Sequence, residues 1–166
     1  MTNRLDNPKT IKLDRMRYAK NVSSSRLTYL AILFDVLYFV SVYESDVGSW
    51  YYQILIGASI VYNLLFMLMT FLASEGVKSR KTGFTIPLIA LGAFQIIRVF
   101  YLPALAHSST VVIAGEEIVV MGDGQYMYTI ACLLISAVCC IVAAVISFMN
   151  NKKLAAHMQS LENISA

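Results

Sequence analysis

Charge is what this sequence has least of. Only 14% of its 166 residues are Asp, Glu, Lys or Arg, while 58% are hydrophobic. A soluble domain carries about 25% charged and about 45–50% apolar residues. The shortage excludes an ordinary water-facing globule and, with it, a basic soluble surface for nucleic acid. Cysteine is scarce as well. Cys132, Cys139 and Cys140 all lie in one apolar run. Their odd number and burial exclude a disulfide framework, and their spacing is not that of metal ligands. They read as small packing residues. No cleavable leader is recognisable, because the first apolar run begins only near Leu27 and no A-x-A site follows it. The first helix is expected to act as an uncleaved anchor.

Catalytic patterns are missing too. His107 and His157 stand far apart, Ser108 and Ser109 have no visible triad partners, and Glu116-Glu117 reads as turn polarity. There is no H-E-x-x-H, no membrane-surface C-x-x-C, no P-loop and no G-x-G-x-x-G after a strand. Neither an enzyme nor a bound metal or cofactor is expected.

Long apolar runs are what the sequence does have. Four of them cover Leu27–Tyr43, Trp50–Leu72, Phe84–Leu105 and Tyr126–Met149. Each can span the ~30 Å hydrocarbon core of a bilayer, which takes about 20 helical residues. The expected fold is an all-α membrane protein, a bundle of four transmembrane helices over residues 27–149. A basic arm (1–26) precedes it and a tail (150–166) follows.

Basic residues alternate with these runs. Seven lie in the arm (Arg4, Lys9, Lys12, Arg15, Arg17, Lys20, Arg26), three in the second loop (Lys78, Arg80, Lys81) and two in the tail (Lys152, Lys153). The first loop, Glu44–Ser49, and the third have none. The positive-inside rule therefore puts both termini in the cytoplasm, and compact size with no sequon on the outer side suits a bacterial inner membrane. The N-x-S sequons at Asn21 and Asn163 fall on the cytoplasmic side, so no glycan is expected. Tyr43, Trp50, Tyr51, Tyr52, Tyr101, Tyr126 and Tyr128 gather at the outer helix ends as an interfacial belt. The arm has Pro8 at a suitable first helical position, and its basic residues can lie on anionic lipid at about 1 kcal/mol per charge. In the third loop, Ala106–Gln125, β-branched runs at Thr110–Ile113 and Ile118–Val120 flank Ala114-Gly115-Glu116-Glu117. That pattern predicts a short extracellular β-hairpin between the third and fourth helices.

Two ionisable residues fall inside the apolar runs. They are Asp35 in the first and Arg98 in the third. Each costs on the order of 2.5–3.5 kcal/mol at the bilayer centre, so each is expected to face the interior and find a partner. At a rise of 1.5 Å per residue, Asp35 lies roughly 12 Å from the cytoplasmic end of its helix, with Asn63 at a similar level and Gln95 roughly 16 Å deep. Arg98 is one turn beyond Gln95 on the same face. Asp35, Asn63, Gln95 and Arg98 are thus expected to form one polar layer, unless Arg98 reaches outward to Tyr101. The layer is read as a structural network, a contact with a partner chain, or an ion path.

The fourth run carries small residues at helical spacing: Cys132, Ser136, Cys140, Ala143, Ala144 and Ser147. Such a stripe lets membrane helices approach closely, within the bundle or against another chain. Shorter versions are Gly57-Ala58-Ser59 and Ala90, Gly92 and Ala93. In size and in its acidic first-helix residue Asp35, the chain resembles small multidrug transporters. Its enforced orientation, long basic arm and twenty-residue outer loop depart from that family's weak bias and short loops, and no family is assigned. The expected role is a non-catalytic subunit of a larger membrane complex, or a self-associating one. The alternative is a small oligomeric transporter or channel using the Asp/Arg layer.

Overall fold

Apolar residues recurring every three to four positions form helices whose stripes can meet. The computed structural model describes residues 8–43, 53–113 and 115–165. Its helices are α1 (Pro8–Tyr18), α2 (Val22–Tyr43), α3 (Gln53–Lys78), α4 (Thr85–Val99), α5 (Leu102–His107) and α6 (Asp123–Ser165), with a 3-10 turn at Thr82–Phe84. Four segments are long and apolar enough to cross a membrane: Val22–Tyr43, Gly57–Lys78, Thr82–His107 and Asp123–Leu161. The expected start of the second span at Trp50–Tyr52, the acidic first loop and Arg4 lie outside the described residues.

The stripes that face inward mix polar and small residues with a few larger apolar ones. On α2 they run Ser24, Thr28, Ala31, Asp35, Tyr38 and Val42; on α4, Thr85, Leu88, Gly92, Gln95 and Val99. The residues left outside are large and apolar, such as Leu64, Leu68 and Phe71 on α3, Ile86 and Ile97 on α4, and Val138, Val145 and Phe148 on α6. A water-soluble domain hides such residues. Here the arrangement is inverted, as a lipid solvent allows.

Helix α6 is the centre of the bundle, packed along α2 and α4, while α2 also packs along α3. Adjacent in sequence, α3 and α4 share much less contact. Two apolar clusters result. The one nearer the termini contains Ala31, Phe66, Ala73, Val77, Leu88, Cys140, Ala143 and Ala144. The other holds Tyr38, Val42, Val99, Leu102, Met121, Cys132 and Leu133.

The element bounds differ from the sequence reading in every span, beginning with the first, whose helix starts at Val22 rather than Leu27. The third span is not continuous, because the helix stops at Val99 and resumes at Leu102. Pro103 stands just inside α5, and a proline ring clashes with the carbonyl four residues earlier, here Val99. The break ends in tight bonds, Phe100 N–H to the Ile97 carbonyl and Tyr101 N–H to that of Arg98, both 3.1 Å. The second span runs on through Ala73 to Lys78. It closes with Lys81 N–H on the Gly76 carbonyl (3.0 Å) and Arg80 N–H on that of Val77 (3.1 Å). Arg80 takes the left-handed conformation (φ 58°) where glycine is usual. Its Nε also donates to the Ala19 carbonyl at 2.9 Å, which ties this turn to the α1–α2 junction. The fourth span continues past Met149, so α6 is one helix of 43 residues, on the order of 65 Å long. Its tail meets α1, where His157 Nε2 lies 2.6 Å from Asp14 Oδ1.

At the opposite end β1 (Thr110–Ile113) pairs antiparallel with β2 (Glu116–Val119), Ile113 facing Glu116. The connection is shorter than the sequence suggested. Gly115 takes φ 90°, open to glycine alone at no steric cost, so Glu116 and Glu117 lie in the strand rather than the turn. After the strand, Val120 and Met121 turn inward and are buried. His107 stacks on Tyr126 with ring centres 4.3 Å apart. Tyr126 lies half-buried, whereas Tyr101 and Tyr128 are exposed.

Candidate functional site

Four polar residues of the first three spans meet in one layer between the two apolar clusters. Each arrives there on an inward stripe. Asp35 is on α2, Asn63 on α3, and Gln95 and Arg98 are one turn apart on α4. Asp35, Asn63 and Gln95 are 0% exposed and Arg98 is 8% exposed.

Arg98 is the hub. Its Nη1 donates to Asp35 Oδ1 at 3.1 Å, and its Nη2 donates to Asn63 Oδ1 at 2.5 Å. Gln95 Nε2 donates to the same Asp35 oxygen at 2.8 Å. The carboxylate thus accepts from two groups of α4, and the guanidinium joins α2 to α3. The ion pair is complete within one chain. Arg98 does not turn outward to Tyr101.

Three participants were not singled out in the sequence. The Tyr38 and Tyr62 rings stand 4.3 and 4.8 Å from the Arg98 guanidinium carbon. Aromatic faces attract a cation, by about 2 kcal/mol or more when it is desolvated. The third is Ser136, which the sequence placed only in the small-residue stripe. Its hydroxyl donates to the Ala31 carbonyl at 2.9 Å and lies 3.5 Å from Gln95 Nε2, joining α6 to the layer. A signal for Tyr38 existed, since it stands one helical turn from Asp35 on the same face. Tyr62 gave none, because a neighbour in sequence points elsewhere unless the helices cross favourably.

Not every polar atom of the layer is matched. Asp35 Oδ2, Asn63 Nδ2 and Gln95 Oε1 are buried without a hydrogen-bond partner. Such atoms are costly in a low-dielectric interior, and they are the layer's remaining hydrogen-bonding capacity.

The stripe of α6 lies wholly inside the bundle. Cys132, Ser136, Cys140, Ala143, Ala144 and Ser147 are all buried at 2% exposure or less. It is packed within the chain, whereas Gly57, Ala58, Ala90 and Ala93 of the shorter small-residue runs are exposed. Ser24 Oγ donates to the Ala143 carbonyl at 2.6 Å, and Ser25 Oγ lies 2.8 Å from Ser74 Oγ. The cysteines are buried free thiols. Among the described residues no three His, Cys, Asp or Glu side chains gather as metal ligands.

Chemically, the layer is suited to holding charges in place. A charge-assisted network tied to four helices resists the separation of its partners. One face of it is open: Arg98 also lines a cavity of about 340 Å³ between α3 and the α4–α5 segment. No family model, curated protein or solved structure matches the chain.

Proposed function

We propose that the chain is a non-catalytic integral membrane subunit, held rigid by an internal ion pair and working through association with a larger membrane complex. The observation that carries this reading is the enclosure of Asp35. Its carboxylate is fully buried, shared between Arg98 and Gln95, and walled by four helices. A carboxylate in that setting is a fixed counter-ion and not a carrier that must meet both sides of a membrane. In this reading both termini face the cytoplasm, the hairpin lies outside, and the basic arm rests on anionic lipid. The orientation is checked by reporter fusions in the hairpin and at the C-terminus.

The test of function is purification of the tagged protein from its native host in mild detergent, with quantitative mass spectrometry of what accompanies it. A partner at constant ratio supports the subunit role. A chain recovered alone, monomeric or homo-oligomeric, contradicts it.

A second reading, a small oligomeric transporter, is favoured by one observation: Arg98 borders a cavity while Asp35 Oδ2 and Gln95 Oε1 keep unused acceptor capacity. Under it, Asp35→Asn assembles normally in liposomes and loses flux. Normal assembly with unchanged flux would sink it.

A further inference from the structure

On the hairpin side of the polar layer α3 and α4 part. The space between them is lined by Ala58, Ser59, Tyr62, Phe94, Ile97 and Arg98, with Tyr101 and Leu102 at the helix break. Its walls belong to the outer surface, since Phe94, Ile97 and Tyr101 are 55%, 61% and 61% exposed. The groove therefore faces whatever surrounds the bundle sideways.

Two features decide what fits. The first is size. At about 340 Å³ the groove lies at the small end of small-ligand sites, roughly 300–1,000 Å³. A partner helix, about 10–12 Å across with its side chains, does not enter it. The second is charge. Among the described residues the lining is apolar except for the Ser59 hydroxyl, the tyrosines and the Arg98 cation. A guanidinium has five N–H donors, and Asp35 and Asn63 take one each. Asp35 meets it through a single oxygen rather than as a two-pronged pair. Arg98 thus has donors beyond those two bonds at the base of an apolar groove. It stands one turn, about 4.5 Å, below Tyr101, a residue type that favours the level of lipid headgroups.

We propose that this groove binds one anionic lipid from the surrounding leaflet. Its phosphate oxygens accept from Arg98 and Ser59, and an acyl chain lies against Tyr62, Phe94 and Ile97. The site is distinct from the basic arm, which lies at the other end of the bundle. It does not depend on the subunit reading, because it needs no protein partner.

The test uses the full chain equilibrated with equimolar phosphatidylglycerol and phosphatidylcholine, followed by native mass spectrometry of retained lipid. The expected result is one phosphatidylglycerol per chain, preferred about tenfold, the effect of a charge-assisted hydrogen bond. Ala58→Phe and, separately, Ser59→Phe fill the groove without touching the Asp35–Arg98 pair. Each is expected to lose that lipid while keeping the wild-type circular dichroism and melting temperature. Neutralising the arm is expected to leave the groove lipid bound. Equal retention of the two lipids by the wild type would overturn the proposal. So would undiminished retention in a folded groove-filling variant, or displacement of the lipid by inorganic phosphate.

Discussion

The two halves of the bundle are built on opposite plans. Toward the termini, α2, α3, α4 and α6 meet through small residues and hydroxyls. Ser24 reaches the Ala143 carbonyl, Ser25 meets Ser74, and Gly92 lets α4 touch α6 at Ala137 and Ile141. A side chain at Gly76 would overlap the Phe84 ring. Toward the hairpin, Tyr38, Leu102, Met121 and Leu133 fill the core, α4 breaks after Val99, and α3 stands away from α4. Lipid offers no hydrophobic force to press helices together, so close backbone approach is what holds them. The half rich in Ser, Ala and Gly attains it. The half with larger side chains leaves a groove, and the ion-pair layer ties the two.

The contrast is broken most severely at the tie. Arg98→Leu leaves Asp35 buried without its cation and is expected to cost about 3–5 kcal/mol, read as a fall in thermal unfolding temperature in detergent and in membrane-inserted yield. Next comes the close-packed half. At Gly92 an added Cβ would lie 2.8 Å from Ile141 Cγ1 and 3.1 Å from the Ala137 carbonyl oxygen. Gly92→Val is therefore expected to cost about 1–3 kcal/mol, by the same measurement. Ser25→Ala with Ser74→Ala is expected to show a coupling of only about 0.6 kcal/mol, the average for hydrogen bonds between membrane helices. In the open half, Ala58→Leu meets free space and is expected to stay within about 0.5 kcal/mol of wild type. If Ala58→Leu proved as costly as Gly92→Val, the distinction between the halves would fail.

Much of this plan was legible before the structure. Four helix-length apolar runs mark the spans, and a fixed rise per residue was enough to put Asp35, Asn63, Gln95 and Arg98 at comparable depth. Partner identity was harder. That Arg98 grips Asp35 and Asn63 instead of turning to Tyr101 depends on helix rotation, which depth does not specify. Ser136 was legible as a small residue but not as a hydrogen-bond donor to α2, because that needs the neighbour's carbonyl. The break at Phe100 follows from Pro103, yet the apolar run reads straight through it. Membrane hydropathy records what faces lipid and is blind to backbone hydrogen bonds within the span. Nor did composition distinguish a stripe packed inside the bundle from one offered to another chain. Only the rotation of α6 answers that.

The central claim is that Asp35 and Arg98 are a fixed structural pair, and a double-mutant cycle tests it most directly. Thermal unfolding in detergent is measured for the wild type, Asp35→Asn, Arg98→Leu and the double variant. A fixed pair gives severe single losses and a double variant more stable than their sum implies, with a coupling of about 2–3 kcal/mol. Additive losses would show that the two residues act independently, and would contradict the account.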